Sequence, residues 1–521
     1  MKKREFARSR AFADGASSVA TGWFLVLVKI NVVPFRNLPT QFGGILFLLT
    51  ICLGCVSQRP AISSATNSDS FRHVTIGLCE DYPEESRTLT AARRDLEVLA
   101  TNDLRVLRIA FGWDAMEPEP GKFDWSFWDD FVRLAVDEYH IRLIPYICYT
   151  PRWASSSDGE DFWRQPPKDN AAFANFVKQL VAHYRDRIHS WEIWNEPDNP
   201  SYWGGTVDQF ADLLATGANA IHATDPTANI VMGGLAWDLN FLEGVLAHPE
   251  AMTHVDVINL HNYYETWSSD PLERIPEYVG RTHDILRQHG YDLPIWMAEV
   301  GYSSYRNGAE VSGQYQAYFK NEHTPEAQAQ SLFKTMTLLL ASGDVSLIAW
   351  YRINDLPGAQ EVIGDVNNRH LGILDEHGTA KPALRALQFF HSLFGKGFRC
   401  IDDQVRVTKP IGSPAEIHAF ETPDGKVVVI GWIKNYVPGT RGQNVSGDAR
   451  DLRNELVSIE FPFSTGNQAR NFDETGGRQG SFFVSTIGAE VRILALKVSK
   501  DQIGVAVLNS FSNQCPAFLP N

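Results

Sequence analysis

The chain has 521 residues, of which 44% are hydrophobic and 12% aromatic, and its formal net charge is −15. This composition excludes a disordered or fibrous protein, and the length is sufficient for more than one domain with a large core. The acidic balance argues against nucleic acid as a partner, because binding to phosphates requires a basic surface.

The first predicted unit, residues 1–55, is an export segment. Seven Lys or Arg residues against two acidic residues precede the apolar run GGILFLLTICLGC, which ends at Cys55. A basic stretch followed by a short apolar run is typical of a secretory signal. Its CLGC end resembles the lipobox of bacterial lipoproteins, which implies that Cys55 is lipidated; a plain signal peptide or an anchor helix is the alternative. We therefore expect an extracytoplasmic protein, lipid-anchored in the bacterial cell envelope or secreted, that meets the membrane only through this segment.

Residues 56–70 are predicted to be a linker, and residues 71–395 alternate short strands with helices. Eight segments rich in β-branched and aromatic residues are predicted strands: 73–78, 104–111, 142–149, 190–196, 229–235, 255–261, 294–300 and 345–351. Repeated units of a strand and a helix require a parallel sheet with right-handed crossovers. Eight such units predict a closed (β/α)8 barrel, that is, an α/β TIM barrel. An open doubly wound sheet fits less well, because no Gly-rich phosphate loop follows the first strand.

After Gly395 the pattern changes to strands without helices, separated by turns rich in Gly, Pro, Asn and Asp. The strand segments are 416–422, 426–433, 456–463, 482–487 and 491–498. They predict a β-sandwich accessory domain over residues 396–521. Cys400 and Cys515 lie in this domain, and whether they pair is left open. The cysteines show no metal-binding spacing, so we expect neither a metal nor another cofactor.

The predicted strand 190–196 ends in a carboxylate. Side chains alternate along a strand, so Glu192, Trp194 and Glu196 are expected on the inner face of the barrel, with Glu196 at the rim. Pro197 disfavours the α region for the residue before it, so we expect Glu196 to be held in extended backbone. Glu192 is expected deeper in the barrel, paired with an arginine, because an unpaired buried charge is costly. An ordinary solvated Glu-Pro turn is the alternative for an isolated motif of this kind.

A second carboxylate, Glu299, ends the predicted strand 294–300, where Met297 is expected on the same face. The carboxyl ends of all barrel strands meet at one rim, so Glu196 and Glu299 are expected to face each other. Two facing carboxyl groups meet the requirement for glycosidic bond cleavage, in which one protonates the leaving oxygen and the other attacks or activates water. Other strand ends carry residues that suit such a site: Arg108 to keep a carboxylate ionised, His261 and Tyr263 to bond sugar hydroxyls or the nucleophile, and Trp350 to face a sugar ring.

These motifs resemble those of retaining glycoside hydrolases of clan A, most closely family 39, over most of residues 71–395. The resemblance implies that Glu196 is the general acid/base, that Glu299 is the nucleophile, and that Asn195 binds the sugar 2-hydroxyl. It also implies a β-linked oligosaccharide or polysaccharide as the substrate. The family's arginine, His-x-Tyr and tryptophan positions correspond to Arg108, His261, Tyr263 and Trp350. Because Asn195 and Glu196 are adjacent, both can reach one site only if the strand bulges or ends there.

Two further questions stay open in the sequence. Trp113 is a candidate sugar platform in a rim loop, as are Trp153, Trp163 and Trp203, with simple packing as the alternative. A non-catalytic glycan-binding envelope lipoprotein and a transglycosylase with the same residues are the alternative functions. The sugar, the linkage, the choice between exo and endo action and the oligomeric state are not determined, since specificity lies in rim loops without a readable motif.

Overall fold

The computed structural model describes residues 70–81, 88–268, 270–305, 323–358, 366–409, 411–434, 454–461, 470–477, 483–487, 491–499 and 503–509. Cys55 and Cys515 lie outside these ranges, so the lipidation of Cys55 and the pairing of Cys515 with Cys400 stay predictions. Within the described ranges, no helix has both the length and the apolar character needed to cross a bilayer.

Eight parallel strands form the predicted barrel. They are β1 (Thr75–Glu80), β2 (Val106–Gly112), β3 (Arg142–Cys148), β4 (Ser190–Ile193), β5 (Asn229–Met232), β6 (Ile258–Asn262), β7 (Ile295–Val300) and β8 (Val345–Tyr351). Hydrogen-bonded neighbours follow chain order, and β1 also pairs with β8. Parallel bridges from Val231 to Val257 and from Leu235 to Leu260 connect the β5 and β6 segments. The predicted (β/α)8 architecture is confirmed.

Helices connect the strands on the outside of this sheet. They are α1 (Leu89–Thr101), α2 (Trp113–Met116), α3 (Ser126–Val132), α4 (Asn170–Tyr184), α5 (Val207–Thr224), α6 (Leu239–Leu246), α7 (Ile275–Gln288), α8 (Pro325–Ser342) and α9 (Pro382–Phe394). Their ends follow local chemistry. Thr206 and Gln209 form a reciprocal capping box at the start of α5. Gly343, at φ 85°, takes the left-handed conformation that ends α8.

The strands carry two separate apolar layers. An inner cluster fills the barrel and includes Cys79, Ile144, Val231, Ala298 and Tyr351. An outer, larger cluster lies between strands and helices, where the helices bury one face each. A packed interior of this kind is usual for the fold and leaves the rim, at the carboxyl ends of the strands, for chemistry.

The C-terminal part forms two antiparallel sheets, as expected for a sandwich. The strands are β9 (Arg399–Cys400), β10 (Arg406–Thr408), β11 (Ala415–Glu421), β12 (Lys426–Ile433), β13 (Asn454–Phe461), β14 (Arg470–Phe472), β15 (Phe483–Ile487), β16 (Val491–Ser499) and β17 (Gly504–Asn509). One sheet has the order β10-β13-β16-β15 and the other β14-β17-β12-β11-β9. The second sheet contacts the barrel, where the rings of Phe394 and Phe420 lie 5.1 Å apart.

Candidate active site

Glu196 stands in a turn that follows β4. The strand ends at Ile193, and the backbone then takes left-handed conformations at Trp194 (φ 73°) and Glu196 (φ 44°). The expectation that Pro197 holds Glu196 in extended backbone is therefore wrong. Such residues cost on the order of 1–3 kcal/mol each and persist when surrounding bonds over-determine them. Here the Glu196 amide donates to the Gly234 carbonyl at 3.0 Å, and its carbonyl accepts from the Asn199 amide at 3.0 Å.

The early end of β4 changes which side chains share a face. Trp194 does not point into the barrel with Glu192; it packs in the outer core against Trp203, with ring centroids 5.0 Å apart. Asn195 and Glu196 both reach the site because the strand has ended before them, which was the condition stated above. The side-chain alternation of β4 thus ends three residues before Glu196.

Asp198 fastens this turn to the loop after β5. Its carboxylate accepts the backbone amides of Ala236, Trp237 and Asp238, each at 2.8 Å. The segment after β4 and the loop after β5 are thus bonded to each other at two places, between Glu196 and Gly234 and between Asp198 and the three loop amides.

Glu299 reaches the site through irregularities in β7. The pairing register shifts between Asn259 and His261 on the β6 side, and between Met297 and Val300 on the β8 side. Ala298 lies in the inner cluster and Met297 in the outer one, so the prediction that Met297 and Glu299 share a face is wrong. The shift lets Glu299 point inward directly after the inward-facing Ala298.

Arg108, fully buried in β2, is the charge that organises the barrel mouth. Its guanidinium donates two bonds to Glu192, at 2.7 and 2.9 Å, one to Glu299 Oε2 at 2.7 Å, and one to Asn195 Oδ1 at 2.8 Å. Glu192 thus has the arginine partner that was predicted for it. Arg108 has no exposed surface and therefore acts on carboxylates and on Asn195, in line with its predicted role of keeping a carboxylate ionised.

Tyr263 supplies the second bond to Glu299. Its hydroxyl donates to Oε1 at 2.7 Å, so each oxygen of Glu299 accepts one strong bond. Burial raises the pKa of Glu299, and the positive charge of Arg108 opposes that rise. Two donors, one of them cationic, favour the ionised form of this carboxyl group.

The carboxyl group of Glu196 lies between two other partners. Oε1 is 3.0 Å from Nδ1 of His261, and Oε2 accepts from Nδ2 of Asn199 at 2.7 Å. Burial raises the pKa of Glu196 to about 7, while the hydrogen bond from Asn199 and the charge of Arg108 lower it. Burial also lowers the pKa of His261, which favours the neutral ring. His261 is fully buried and bonds the acid, so its predicted contact with a sugar hydroxyl is corrected.

Glu196 and Glu299 are close together. One oxygen of each, and a ring nitrogen of His261, lie within 4.8 Å of one another. Within the described ranges, these three residues form the one group of His, Cys, Asp or Glu whose ligand atoms lie close enough together to hold a metal ion. The guanidinium of Arg108 already occupies Glu299 Oε2, and a cation there would meet its charge.

The tryptophan expected from β8 lies elsewhere. Trp350 is fully buried in the outer core, and the neighbouring residue, Tyr351, is the one in the inner cluster. The Tyr351 hydroxyl donates to Asp81 at 3.0 Å, and Asp81 also accepts from Tyr146. The prediction of Trp350 as a sugar platform is therefore wrong by one residue, because the next side chain, that of Tyr351, is the one that faces the site.

Trp113 is also not at the site surface. It has no exposed surface, its ring stacks on Phe176 with centroids 5.6 Å apart, and its Nε1 donates to Glu117 at 2.7 Å. Its prediction as a sugar platform is corrected to packing. Asp81 and Asn199 were missed, although each had a signal: Asp81 directly follows the first strand, and Asn199 lies three residues after Glu196.

Comparisons with known proteins show what this chain is similar to. The model of the family described as cellulase (glycosyl hydrolase family 5) matches residues 93–331. Endo-1,4-beta-xylanase C of Phanerodontia chrysosporium is 30% identical over 128 residues, which are 23% of this chain and 30% of the relative. Beta-xylosidase of Caldicellulosiruptor saccharolyticus is 23% identical over 254 residues, or 44% of this chain and 48% of the relative. The chain thus spans less than half the length of these two curated relatives.

Among solved structures, a family 39 glycoside hydrolase from Bacteroides cellulosilyticus superposes with a TM-score of 0.59 at 17% identity, covering 84% of this chain and 81% of that one. At this identity the likeness concerns the fold. The family match and the fold agree with the resemblance seen in the motifs. The barrel is thus similar to glycoside hydrolases, in the family model over residues 93–331 and in its fold, which is like that of the family 39 structure.

Proposed function

We propose that this chain is a retaining glycoside hydrolase that cleaves β-linked glycosides, with Glu196 as acid/base and Glu299 as nucleophile. The observation that carries this proposal is the separation of the two carboxyl groups, whose nearest oxygens lie within 4.8 Å. Retaining enzymes hold the groups about 5–5.5 Å apart, whereas inverting enzymes need about 6.5–9.5 Å to admit a water.

The first step forms a bond and breaks one. An oxygen of Glu299 bonds to the anomeric carbon while the bond from that carbon to the leaving oxygen breaks, and the proton of Glu196 passes to the leaving oxygen. The two carboxyl groups suit these roles because their surroundings differ. Burial raises the pKa of both groups, that of Glu196 to about 7, but Glu299 also accepts bonds from Arg108 and Tyr263, which favour its anion.

The second step restores the enzyme. Glu196, now a carboxylate, takes a proton from water, the water oxygen bonds to the anomeric carbon, and the bond to Glu299 breaks. Two inversions at one carbon give net retention. Asn195 is aimed by Arg108, which occupies its Oδ1 and leaves the amide NH2 as the donor for the sugar 2-hydroxyl.

Xylosides are the first substrates to test, because the two relatives above are named as a xylanase and a β-xylosidase. The experiment is a screen of 4-nitrophenyl β-glycosides and β-linked polysaccharides, followed by incubation with a 2-deoxy-2-fluoro β-glycoside of the sugar that is turned over. We expect time-dependent inactivation and a covalent adduct on Glu299 by peptide mass spectrometry. Turnover without such an adduct would contradict its role, and the absence of any turnover would favour the glycan-binding alternative.

We also propose an extracytoplasmic location, with the lipid carried by Cys55. The order of charge and apolar residues before CLGC supports this proposal. Metabolic labelling with a clickable palmitate tests it, with Cys55→Ser as the variant and Cys52→Ser as the matched control. Labelling that survives Cys55→Ser would contradict the assignment.

A further inference from the structure

Trp237 is a large aromatic side chain left exposed at the rim of the barrel. It is 57% exposed and lies in the loop between β5 and α6. Two other large apolar side chains are exposed among the described residues. Phe71 precedes β1, and Ile411 lies in the C-terminal domain. Trp237 is thus the one at the carboxyl ends of the strands, where the two catalytic carboxyl groups stand.

The backbone beneath this indole is firmly held. The amide of Trp237 donates to Oδ2 of Asp198 at 2.8 Å, and the amides on either side donate to the same carboxylate. The next residue, Asp238, caps α6 by accepting from the Asn240 amide at 2.9 Å. A side chain with only two rotatable bonds on a fixed backbone loses little entropy when it makes a contact. The position therefore suits recognition.

Trp237 lies on the side of the site that carries Glu196. Its loop is bonded to the segment that carries Glu196, through Gly234 and Asp198. An acid must stand next to the leaving oxygen that it protonates, so the leaving group extends on the Glu196 side of the anomeric carbon. The ring that becomes bonded to Glu299 occupies the other side, near Tyr263.

We propose that Trp237 forms the platform of a leaving-group subsite that takes a pyranose ring or another ring-bearing alcohol. The inference rests on the proposed function and adds to it the class of leaving group. An indole offers a flat apolar face to the C–H face of a sugar ring. The same platform receives an acceptor in the second step, so it also governs whether a sugar can compete with water.

The test compares substrates with and without a ring in the leaving group. We would measure kcat/KM of the wild-type chain and Trp237→Ala for the β-glycosyl fluoride and the β-1,4-linked disaccharide, in the xylose and glucose series. Fluoride has no ring to stack on an indole. The kcat/KM of Trp237→Ala for the glycosyl fluoride should therefore stay within about twofold of the wild-type value. For the disaccharide we expect a loss of kcat/KM of about tenfold, the size of one good aromatic contact.

Two variants separate recognition from damage. Trp237→Tyr keeps an aromatic face and should recover most of the disaccharide activity, and Phe71→Ala removes an exposed aromatic before β1 and should change neither substrate. Equal losses on fluoride and disaccharide, or no loss on the disaccharide, would overturn the inference. A wild-type chain that hydrolyses no β-glycosyl fluoride of any sugar in the screen above would instead contradict the proposed function itself, so the two failures are distinguishable.

Discussion

Nδ1 of His261 lies 3.0 Å from Oε1 of Glu196, and both side chains are buried. The other ring nitrogen, Nε2, lies against Gly234, where an added Cβ would come within 2.0 Å of it. The same glycine accepts the Glu196 amide through its carbonyl and donates its own amide to Glu192 at 2.9 Å. The orientation of the acid thus depends on the absence of a side chain at position 234.

Gly234→Ala should therefore reduce activity while the chain still folds. The new methyl group must displace His261 or the backbone that positions Glu196, and small displacements at a catalytic group cost about 10²-fold in rate. We expect such a loss in kcat/KM on an aryl β-glycoside, with a circular dichroism spectrum like that of the wild type. The matched control is Gly280→Ala in α7, where an added Cβ meets nothing within 4 Å. Full activity in Gly234→Ala would show that the close approach is not needed.

Removal of each carboxyl group should give a different signature. Glu196→Ala should lower kcat/KM on substrates with poor leaving groups by about 10²–10⁴-fold, the usual contribution of a general acid. On aryl glycosides with a good leaving group, which still form the Glu299 adduct without an acid, azide should restore turnover and yield a glycosyl azide of retained configuration, because it attacks the adduct where water would. Glu299→Ala should lose activity without such a product, and Glu97→Ala, an exposed acid on α1, should match the wild type. An azide product of inverted configuration from Glu196→Ala would contradict the assignment.

The pH profile should report the acid. In its proposed role as acid, Glu196 must be protonated, and burial raises its pKa to about 7. The value of kcat/KM should therefore be high below that pH and fall as pH rises through about 7. The hydrogen bond from Asn199 lowers the pKa of Glu196, so Asn199→Ala should move this basic limb to higher pH. Asn175→Ala, at an exposed position in α4, should leave the limb in place, and an unmoved limb in Asn199→Ala would contradict the coupling.

Arg108 should matter for stability as well as for activity. Arg108→Met leaves Glu192 and Glu299 buried without their cation, and breaking a buried pair from one side costs about 3–5 kcal/mol. We expect urea denaturation to show a loss of that size in the free energy of unfolding, together with loss of activity. Arg93→Met removes the exposed partner of Glu138 and should leave stability near the wild-type value. A stable Arg108→Met chain would indicate that the two carboxyl groups find other partners.

Much of the barrel could be read from the sequence, because eight parallel strands leave eight countable runs of β-branched and aromatic residues. Glu196 and Glu299 could be placed at the rim because each ends such a run. The errors fall where the backbone departs from a regular strand. Alternation was carried past the end of β4 to Trp194 and across the register shift before Glu299, and neither irregularity has a signal in residue type alone.

Other features depend on contacts between distant segments. Tyr351, and not Trp350, is the inward-facing residue of β8. The two aromatic residues are adjacent, and composition does not show which of them faces inward. The roles of Asn199 and Gly234 arise because two neighbouring rim loops are bonded together. Burial of Trp113 under α4 likewise requires the tertiary fold.

Arg108 reaches from β2 to Glu192 in β4 and to Glu299 in β7, and so spans most of the ring. A partly formed barrel that lacks any one of these three strands leaves a buried charge in its interior without its partner of opposite sign. The charges around Glu299 are therefore balanced only when β2, β4 and β7 have all joined the sheet. The same guanidinium thus bears on the closure of the sheet and on the ionisation of Glu299.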